Sequence, residues 1–186
     1  YDLIGIDLMA DVLKSFIKEL PETDEFHEVA KEIPLVKKLI ETGYTGRKGK
    51  GGFYRMNKSG TTKVMEAINL ETGDYSLSKK IDIKSDKVDL NGLINRKDKY
   101  GEYAWSVISK IIKYASSLVP GITNQFNDID EAMRLGFNWA KGPFEMLEEI
   151  GVQNFFNKVD NFSGNNFLEE LNKNKNEDFY GERQKY

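Results

Sequence analysis

The residues best suited to chemistry in the first half of the chain form a glycine-rich basic stretch, Gly46-Arg47-Lys48-Gly49-Lys50-Gly51-Gly52. Glycines allow a tight backbone path, and Arg or Lys side chains can neutralise phosphate. A P-loop needs Gly-Lys followed by Ser or Thr, and a dinucleotide fingerprint follows a strand and opens a helix; this stretch does neither. We expect a structural turn, with phosphate contact by Arg47, Lys48 or Lys50 as the alternative.

The other chemically interesting side chains are few. Asp128, Asp130 and Glu131 could hold a cation, but Asp128 and Glu131 have capping-box spacing, so a helix cap is expected, with Gly136 as that helix's left-handed terminator. His27, the only histidine, falls in a predicted loop beside acidic residues, where a surface position is expected rather than a general base. The absence of cysteine excludes disulfides, thiolate catalysis and cysteine-ligated metals.

Composition narrows the class of protein further. With 27 basic and 30 acidic side chains the formal net charge is -3, which gives no overall attraction to nucleic acid. No apolar run approaches the roughly 20 residues of a membrane span. The aromatics at helical or helix-end positions are expected to anchor a core or a domain interface rather than stack on bases: Trp105, Phe137, Trp139 and Phe144.

These residues must be positioned by elements that are mostly helical. In the first half, apolar spacing predicts helices over 6–20, ended by Pro21, and over 34–40, with Pro34 in the first turn and Gly43 past the end. Residues 63–70 and 75–77 are predicted to form a small hairpin around a turn at 71–74, or an extended connector. The Lys- and Asp-rich residues 78–89 are predicted to be a linker or a solvated strand, and they are the best candidate for a domain boundary.

The second half is predicted to be a series of helices. A long one starts near Tyr100 and stops before Pro120, and another restarts at Gly142-Pro143-Phe144 and ends at Gly151. Pro at the first helical turn explains Gly142-Pro143-Phe144 as architecture, in preference to a substrate-tunnel lining. Two short helices are expected around 155–159 and 167–171, and the polar tail 172–186 is expected to be extended or frayed.

An internal echo suggests a repeated helical module. The segment Leu147-Glu148-Glu149-Ile150-Gly151-Val152-Gln153 can be laid over Tyr1-Asp2-Leu3-Ile4-Gly5-Ile6-Asp7. Each copy places Ile-Gly before a hydrophobic residue and a new helix. We therefore expect the second half of one module followed by a whole one.

Three segments together resemble the C-terminal helical domain of 3-hydroxyacyl-CoA dehydrogenases. They are Ile129-Asp130-Glu131-Ala132-Met133-Arg134-Leu135-Gly136-Phe137 with Gly142-Pro143-Phe144-Glu145; Asp2-Leu3-Ile4-Gly5-Ile6-Asp7; and Gly46-Arg47-Lys48-Gly49-Lys50-Gly51-Gly52-Phe53-Tyr54. Their order along the chain is that of the family. The resemblance implies a mainly α fold of 6-phosphogluconate-dehydrogenase-C-terminal-like domains in two copies. The second half of the first copy would occupy 1–55, an extended or hairpin linker 56–95, and the second copy 96–186.

The family's chemistry is expected to lie outside this chain. The resemblance implies oxidation of a 3-hydroxyacyl-CoA to the 3-ketoacyl-CoA in fatty acid β-oxidation, with NAD on an N-terminal Rossmann domain and a catalytic His paired with Glu. We expect no catalytic, cofactor-binding or metal-binding residue here, and Asn95-Arg96 should not be mistaken for the family's catalytic Asn-Arg. Arg47, Lys48 and Lys50 could still touch phosphates of CoA or NAD.

The resemblance also implies partners and a setting. We expect an inactive fragment, cut at Tyr1 and Tyr186. Its expected partners are its own Rossmann domain and the acyl-CoA substrate. The complete protein could also be fused to an enoyl-CoA hydratase or form a homodimer. The cytoplasm is expected, or an organelle matrix in a eukaryote. The alternative is a self-standing helical module that binds protein or acyl-CoA.

Overall fold

The computed structural model describes residues 1–58, 62–79, 88–159 and 166–173. The chain divides into two units, Tyr1–Ile83 and Lys84–Tyr186. Most of the linker predicted at 78–89 and of the tail predicted at 172–186 lies outside the described residues. None of the helices in the described part is both long and apolar enough to cross a membrane.

The first unit combines three helices with a small sheet. Its elements are α1 (Ile6–Glu19), α2 (Phe26–Val29), α3 (Pro34–Glu41), β1 (Tyr54–Asn57), β2 (Val64–Ile68) and β3 (Tyr75–Leu77). The predicted helices α1 and α3 are confirmed, with Pro34 in the first turn of α3 and Gly43 in a left-handed conformation just past its end. His27 was wrongly expected in a loop, because the four-residue helix α2 is too short to show periodicity in the sequence.

The sheet is antiparallel with the order β1-β2-β3. The predicted hairpin of β2 and β3 is confirmed, and Ile68 pairs with Tyr75 across its turn. Strand β1 was not predicted, because Phe53 and Tyr54 had been interpreted as the aromatic end of the glycine loop. The segment 56–95, expected to be a linker, therefore contains most of this sheet.

The second unit is entirely helical in its described residues. Its helices are α4 (Leu90–Ile94), α5 (Lys99–Ser117), α6 (Phe126–Phe137), α7 (Pro143–Ile150), α8 (Val152–Lys158) and α9 (Asn166–Lys173). The predictions of α5 to α9 are confirmed to within a few residues. The short helix α4 was not predicted, and Asp89 caps it by accepting a hydrogen bond from the Gly92 N–H at 2.7 Å.

Helix α7 lies at the centre of the second unit and contacts α4, α5, α6 and α8. Its apolar face is fully buried together with side chains from α5, α8 and α9: Phe144, Leu147, Ile150, Ile112, Val152, Phe155 and Leu168. Trp105 packs against Phe155 with ring centroids 5.5 Å apart. Phe144 and Trp105 are thus the predicted core anchors, whereas Phe137 is exposed and Trp139 is half-buried.

The first unit buries much less. Among its described residues the buried hydrophobic side chains are Ile6 and Leu39. Helix α1 leaves an apolar face exposed, made of Leu8, Val12, Phe16 and Ile17. An amphipathic helix whose apolar stripe stays in solvent normally has a further packing partner.

The internal echo has a matching backbone geometry. Gly5 precedes α1 with φ 122° and ψ 126°, and Gly151 precedes α8 with φ 83° and ψ 130°. Residues other than glycine rarely adopt such positive φ values, so glycine is required at both junctions. The first residue of each following helix, Ile6 or Val152, is buried.

Both ends of α6 differ from the prediction. The helix begins at Phe126, so Asp128 lies inside its first turn, where its carboxylate accepts a hydrogen bond from the Thr123 hydroxyl at 2.8 Å. The capping box of Asp128 and Glu131 is therefore wrong. Gly136 is helical, and Asn138 is the left-handed terminator with φ 55°, because Asn also tolerates this conformation.

We predict opposite effects from alanine at these two positions. Gly136→Ala should stabilise the second unit by about 0.5–1 kcal/mol, because alanine favours a helix and its Cβ meets nothing within 4 Å. Asn138→Ala should destabilise it by about 1 kcal/mol, because of the left-handed backbone. Both tryptophans, Trp105 and Trp139, lie in this unit, so fluorescence-monitored urea unfolding measures both changes. A destabilising Gly136→Ala would contradict the assignment.

Candidate functional site

A buried carboxylate joins α6 to the start of α7. Asp130, only 2% exposed, accepts hydrogen bonds from the backbone N–H groups of Phe144 at 2.8 Å and Glu145 at 2.9 Å. The first N–H groups of a helix have no partner within the helix, so a side chain on another helix here supplies the cap. Asp130 thus fixes where α7 begins.

Glu145 extends this contact into a network that we call the α6–α7 corner, formed by Asp130, Arg134, Gly142 and Glu145. The Glu145 carboxylate accepts a hydrogen bond from the Gly142 N–H at 2.8 Å and forms an ion pair with Arg134 at 3.3 Å. Gly142 lies against Asp130 so closely that a Cβ there would collide with its carboxyl group and backbone. Glycine is required at this point because the two backbones approach each other.

Two opposing influences act on the Asp130 carboxyl. Burial raises the pKa of Asp130 to about 6, and the negative charge of Glu145 also acts to raise this pKa. The backbone N–H donors of Phe144 and Glu145 and the positive charge of Arg134 act to lower it. Because its oxygens are already hydrogen-bonded to backbone, the group acts as a helix cap. The corner is structural, and the described residues contain no cluster of side chains suited to a metal ion.

The glycine-rich basic loop of the first unit is organised by Asp2. Its carboxylate accepts hydrogen bonds from the N–H groups of Phe53 at 2.9 Å and Tyr54 at 2.8 Å, and its carbonyl accepts one from the Arg47 N–H at 2.8 Å. Gly52 lies so close to the Asp2 carboxylate that a side chain would not fit. The loop is therefore held against the residues that precede α1.

The three cations named as phosphate contacts in the alternative interpretation have different surroundings. Lys48 pairs with Asp7 at 2.7 Å, and this hydrogen bond is the main reason that the pKa of Asp7 is lowered. Lys50 donates to the Thr42 carbonyl at 2.9 Å. Within the described residues the exposed Arg47 side chain has no partner. The loop therefore leaves Arg47 available for a ligand while Lys48 is committed.

A second polar cluster ties the sheet to this loop. The Arg55 guanidinium lies over the Tyr75 ring at 3.9 Å and pairs with Glu66 at 2.7 Å. Tyr75 donates a hydrogen bond to the Gly52 carbonyl at 2.5 Å, and burial raises its pKa. Hydrogen bonds from Asn57 and then Arg55 lower the pKa of Glu66. This cluster holds the sheet edge beside the loop.

The remaining predicted residues have structural surroundings. His27 is half-buried, and its Nε2 lies 2.9 Å from the Pro21 carbonyl oxygen. Asn95 ends α4 and lies 3.2 Å from the Lys158 ammonium, and Arg96 pairs with Asp98 at the start of α5. In the described ranges the sheet is antiparallel, with no strand–turn–helix unit for a dinucleotide. The residues present therefore do not fit NAD as a whole.

Comparison with known proteins identifies the helical unit. The family model for the 3-hydroxyacyl-CoA dehydrogenase C-terminal domain matches residues 101–177, from α5 past the end of α9. Residues 101–177 are a 3-hydroxyacyl-CoA dehydrogenase C-terminal domain. The α6–α7 corner is thus a feature of this C-terminal domain, and its four residues lie within one of the three segments that resemble the family. No solved structure gives a significant match to the chain.

The chain is also similar to longer proteins. One from Rickettsia prowazekii, provisionally named a fatty acid oxidation complex trifunctional enzyme, is 40% identical over 159 residues, which cover 86% of this chain and 22% of the relative. One from Bacillus subtilis, provisionally named a 3-hydroxyacyl-CoA dehydrogenase, is 27% identical over 187 residues, which cover 96% of this chain and 23% of the relative. The chain thus spans less than a quarter of each.

We predict that Asp130→Ala destabilises the second unit by about 3 kcal/mol, because two buried backbone donors lose their acceptor. Asp128→Ala removes a carboxylate two residues earlier in the chain. Because the Asp128 partner, Thr123, is on the surface, the loss of stability should stay within about 0.5 kcal/mol. Tryptophan-monitored urea unfolding at neutral pH compares the two variants. Equal losses would contradict the cap by Asp130.

We also predict two opposite pH effects on the stability of the second unit. The raised pKa of Asp130 favours folding at about pH 4 and below, and this contribution is lost as the pH rises through about 6. The Arg96 hydrogen bond lowers the pKa of Asp98 to about 2, so its contribution is present above about pH 4 and lost as the pH falls through about 2.

Urea unfolding at a series of pH values measures the free energy of unfolding, and the two effects appear as two limbs of its pH dependence. Asp130→Asn should remove the loss of stability between about pH 4 and 6, and Asp98→Asn should remove the loss below about pH 4. Asp128→Asn serves as the matched control and should leave the first of these limbs in place. An unchanged limb in Asp130→Asn would show that another group causes it.

Proposed function

We propose that this chain is the C-terminal, structural and substrate-cleft part of an NAD-dependent 3-hydroxyacyl-CoA dehydrogenase of fatty acid β-oxidation. The observation that carries the proposal is the family match over residues 101–177, in which Arg134 pairs with the buried Glu145 beside the buried carboxylate of Asp130. The provisional names of the relatives, a fatty acid oxidation complex enzyme and a 3-hydroxyacyl-CoA dehydrogenase, support the same pathway.

In this proposal the chemistry belongs to another part of the enzyme. The whole enzyme would oxidise a 3-hydroxyacyl-CoA to the 3-ketoacyl-CoA, with NAD on its own Rossmann domain. The present chain would support that domain and help to enclose the acyl-CoA. The carboxylates of Asp130 and Glu145 and the ring of His27 have structural hydrogen-bond partners, which supports a role in architecture.

We further propose that the first unit is the second half of a first copy of the same helical domain. The support is the echo around Gly5 and Gly151, together with a difference in burial. Tyr1 and Ile4 are 71% and 58% exposed, whereas the corresponding Leu147 and Ile150 are 0% and 2% exposed. In the second unit these positions are covered because α7 packs on α4, α5 and α6. Equivalent helices would cover the first unit in the whole protein.

Two copies per chain would let one copy take the place of a partner subunit's domain. A homodimer is the alternative arrangement. We propose the cytoplasm as the cellular location of the enzyme. The trifunctional name of the Rickettsia relative supports a fused enoyl-CoA hydratase as a further proposal.

The proposal predicts no dehydrogenase activity for residues 1–186 alone. NADH oxidation with acetoacetyl-CoA, followed at 340 nm, should stay at the background rate, because the proposed catalytic residues lie outside the chain. A 3-hydroxyacyl-CoA dehydrogenase that contains its NAD-binding domain serves as the positive control. Turnover that survives purification of the chain to homogeneity would overturn the assignment of chemistry to another domain.

The reading frame upstream of Tyr1 separates the proposal from a self-standing helical binding module. An upstream Gly-x-Gly-x-x-Gly after a predicted strand, followed by a His and a Glu, would support the dehydrogenase. A stop codon directly upstream would support the module.

A further inference from the structure

An open cleft of about 710 Å³ lies in the first unit, between the glycine-rich loop and β1. Its lining includes the loop glycines Gly46, Gly49 and Gly51. It also includes Tyr54 and Met56 from β1 and Met65 from β2. The cleft therefore offers both backbone polar groups and apolar side chains to a ligand.

Four cationic side chains line this cleft: Arg47, Lys50, Arg55 and Lys58. Arg55 is neutralised by Glu66. Lys50 donates to the Thr42 carbonyl but keeps its full charge, since a carbonyl is neutral. Arg47 and Lys58 are exposed, and among the described residues neither has a hydrogen-bond or ion-pair partner.

The acidic side chain in the cleft does not balance these charges. Among the described residues that line the cleft Asp2 is the one carboxylate, and both of its oxygens accept backbone hydrogen bonds, from Phe53 and Tyr54. Lys48 does not line the cleft, because it pairs with Asp7. The cleft is therefore positive through Arg47, Lys50 and Lys58, a set that differs from the three cations of the sequence motif.

We propose that this cleft binds a diphosphate group. Arg47 offers a planar fork that fits two phosphate oxygens at once, while Lys50 and Lys58 act as point charges on a second phosphate. A single phosphate would leave part of this charge unused. The cleft lies in the first unit, outside the residues that the family model matches. Where the ligand is acyl-CoA or NAD, the proposal rests on the proposed function.

The diphosphate could come from a nucleotide or from coenzyme A, since both contain this group. The exposed rings and thioethers along the cleft wall, Tyr54, Met56 and Met65, offer an apolar surface to the organic part of the ligand. Competition between ADP, CoA and NAD identifies the source, while the shared recognition element is the diphosphate.

Isothermal titration calorimetry of the whole chain with inorganic pyrophosphate at low ionic strength tests the proposal. Arg47→Gln should raise the Kd about ten-fold, because it removes a charge-assisted, two-point contact. Lys58→Gln should raise it about three-fold. Lys48→Gln, in the same loop and with the same loss of charge, is the matched control and should leave the Kd within a factor of two.

Further controls keep each outcome decisive. Lys18→Gln removes a lysine from the exposed end of α1 and should have no effect on binding, and circular dichroism checks that every variant is folded. Equal weakening by Lys48→Gln and Arg47→Gln would overturn the proposal, as would sulfate binding as tightly as pyrophosphate or wild type showing no binding at millimolar concentration. These results leave the dehydrogenase assignment untouched, since it is tested by turnover and by the upstream reading frame.

Discussion

The second unit depends on one interaction, the acceptance of two backbone N–H groups of α7 by the buried carboxylate of Asp130. Helix α7 has only eight residues, and a helix this short is marginal without tertiary support. Its apolar face nevertheless supplies Phe144, Leu147 and Ile150 to the core. The packing of the neighbouring helices therefore requires that α7 begin at a fixed residue, and the carboxylate determines that residue.

The same interaction explains what could be predicted from sequence. Helix periodicity, the Pro143 start and the Gly151 end are local signals, and they located α7 correctly. The role of Asp130 was not predicted, because its partners are fourteen and fifteen residues away, whereas capping rules look for a cap within a few residues of the helix start. The sequence does contain one indication of such a partner. The first N–H groups of a helix that starts at Gly-Pro have no partner within the helix and need an acceptor from elsewhere.

The first unit shows the same limit on prediction at its candidate binding site. The basic motif was found from composition, but the sequence could not show that Asp7 would engage Lys48 or that β1 would bring Lys58 to the loop. Both facts depend on tertiary contacts that a local sequence pattern does not encode. Strand β1 itself was missed because four residues starting at an aromatic pair give too little alternation to distinguish strand from loop.

The fourteen-residue separation between Asp130 and Phe144 also bears on the order in which the second unit assembles. Closing a short loop costs less chain entropy than closing a long one, and the Lys158 contact with the Ile94 carbonyl spans 64 residues. By the logarithmic dependence on loop length, the corner is favoured over that contact by about 1 kcal/mol in closure entropy. The α6–α7 corner can therefore form while α4 and α8 are still apart, and it gives the later helices a template on which to dock.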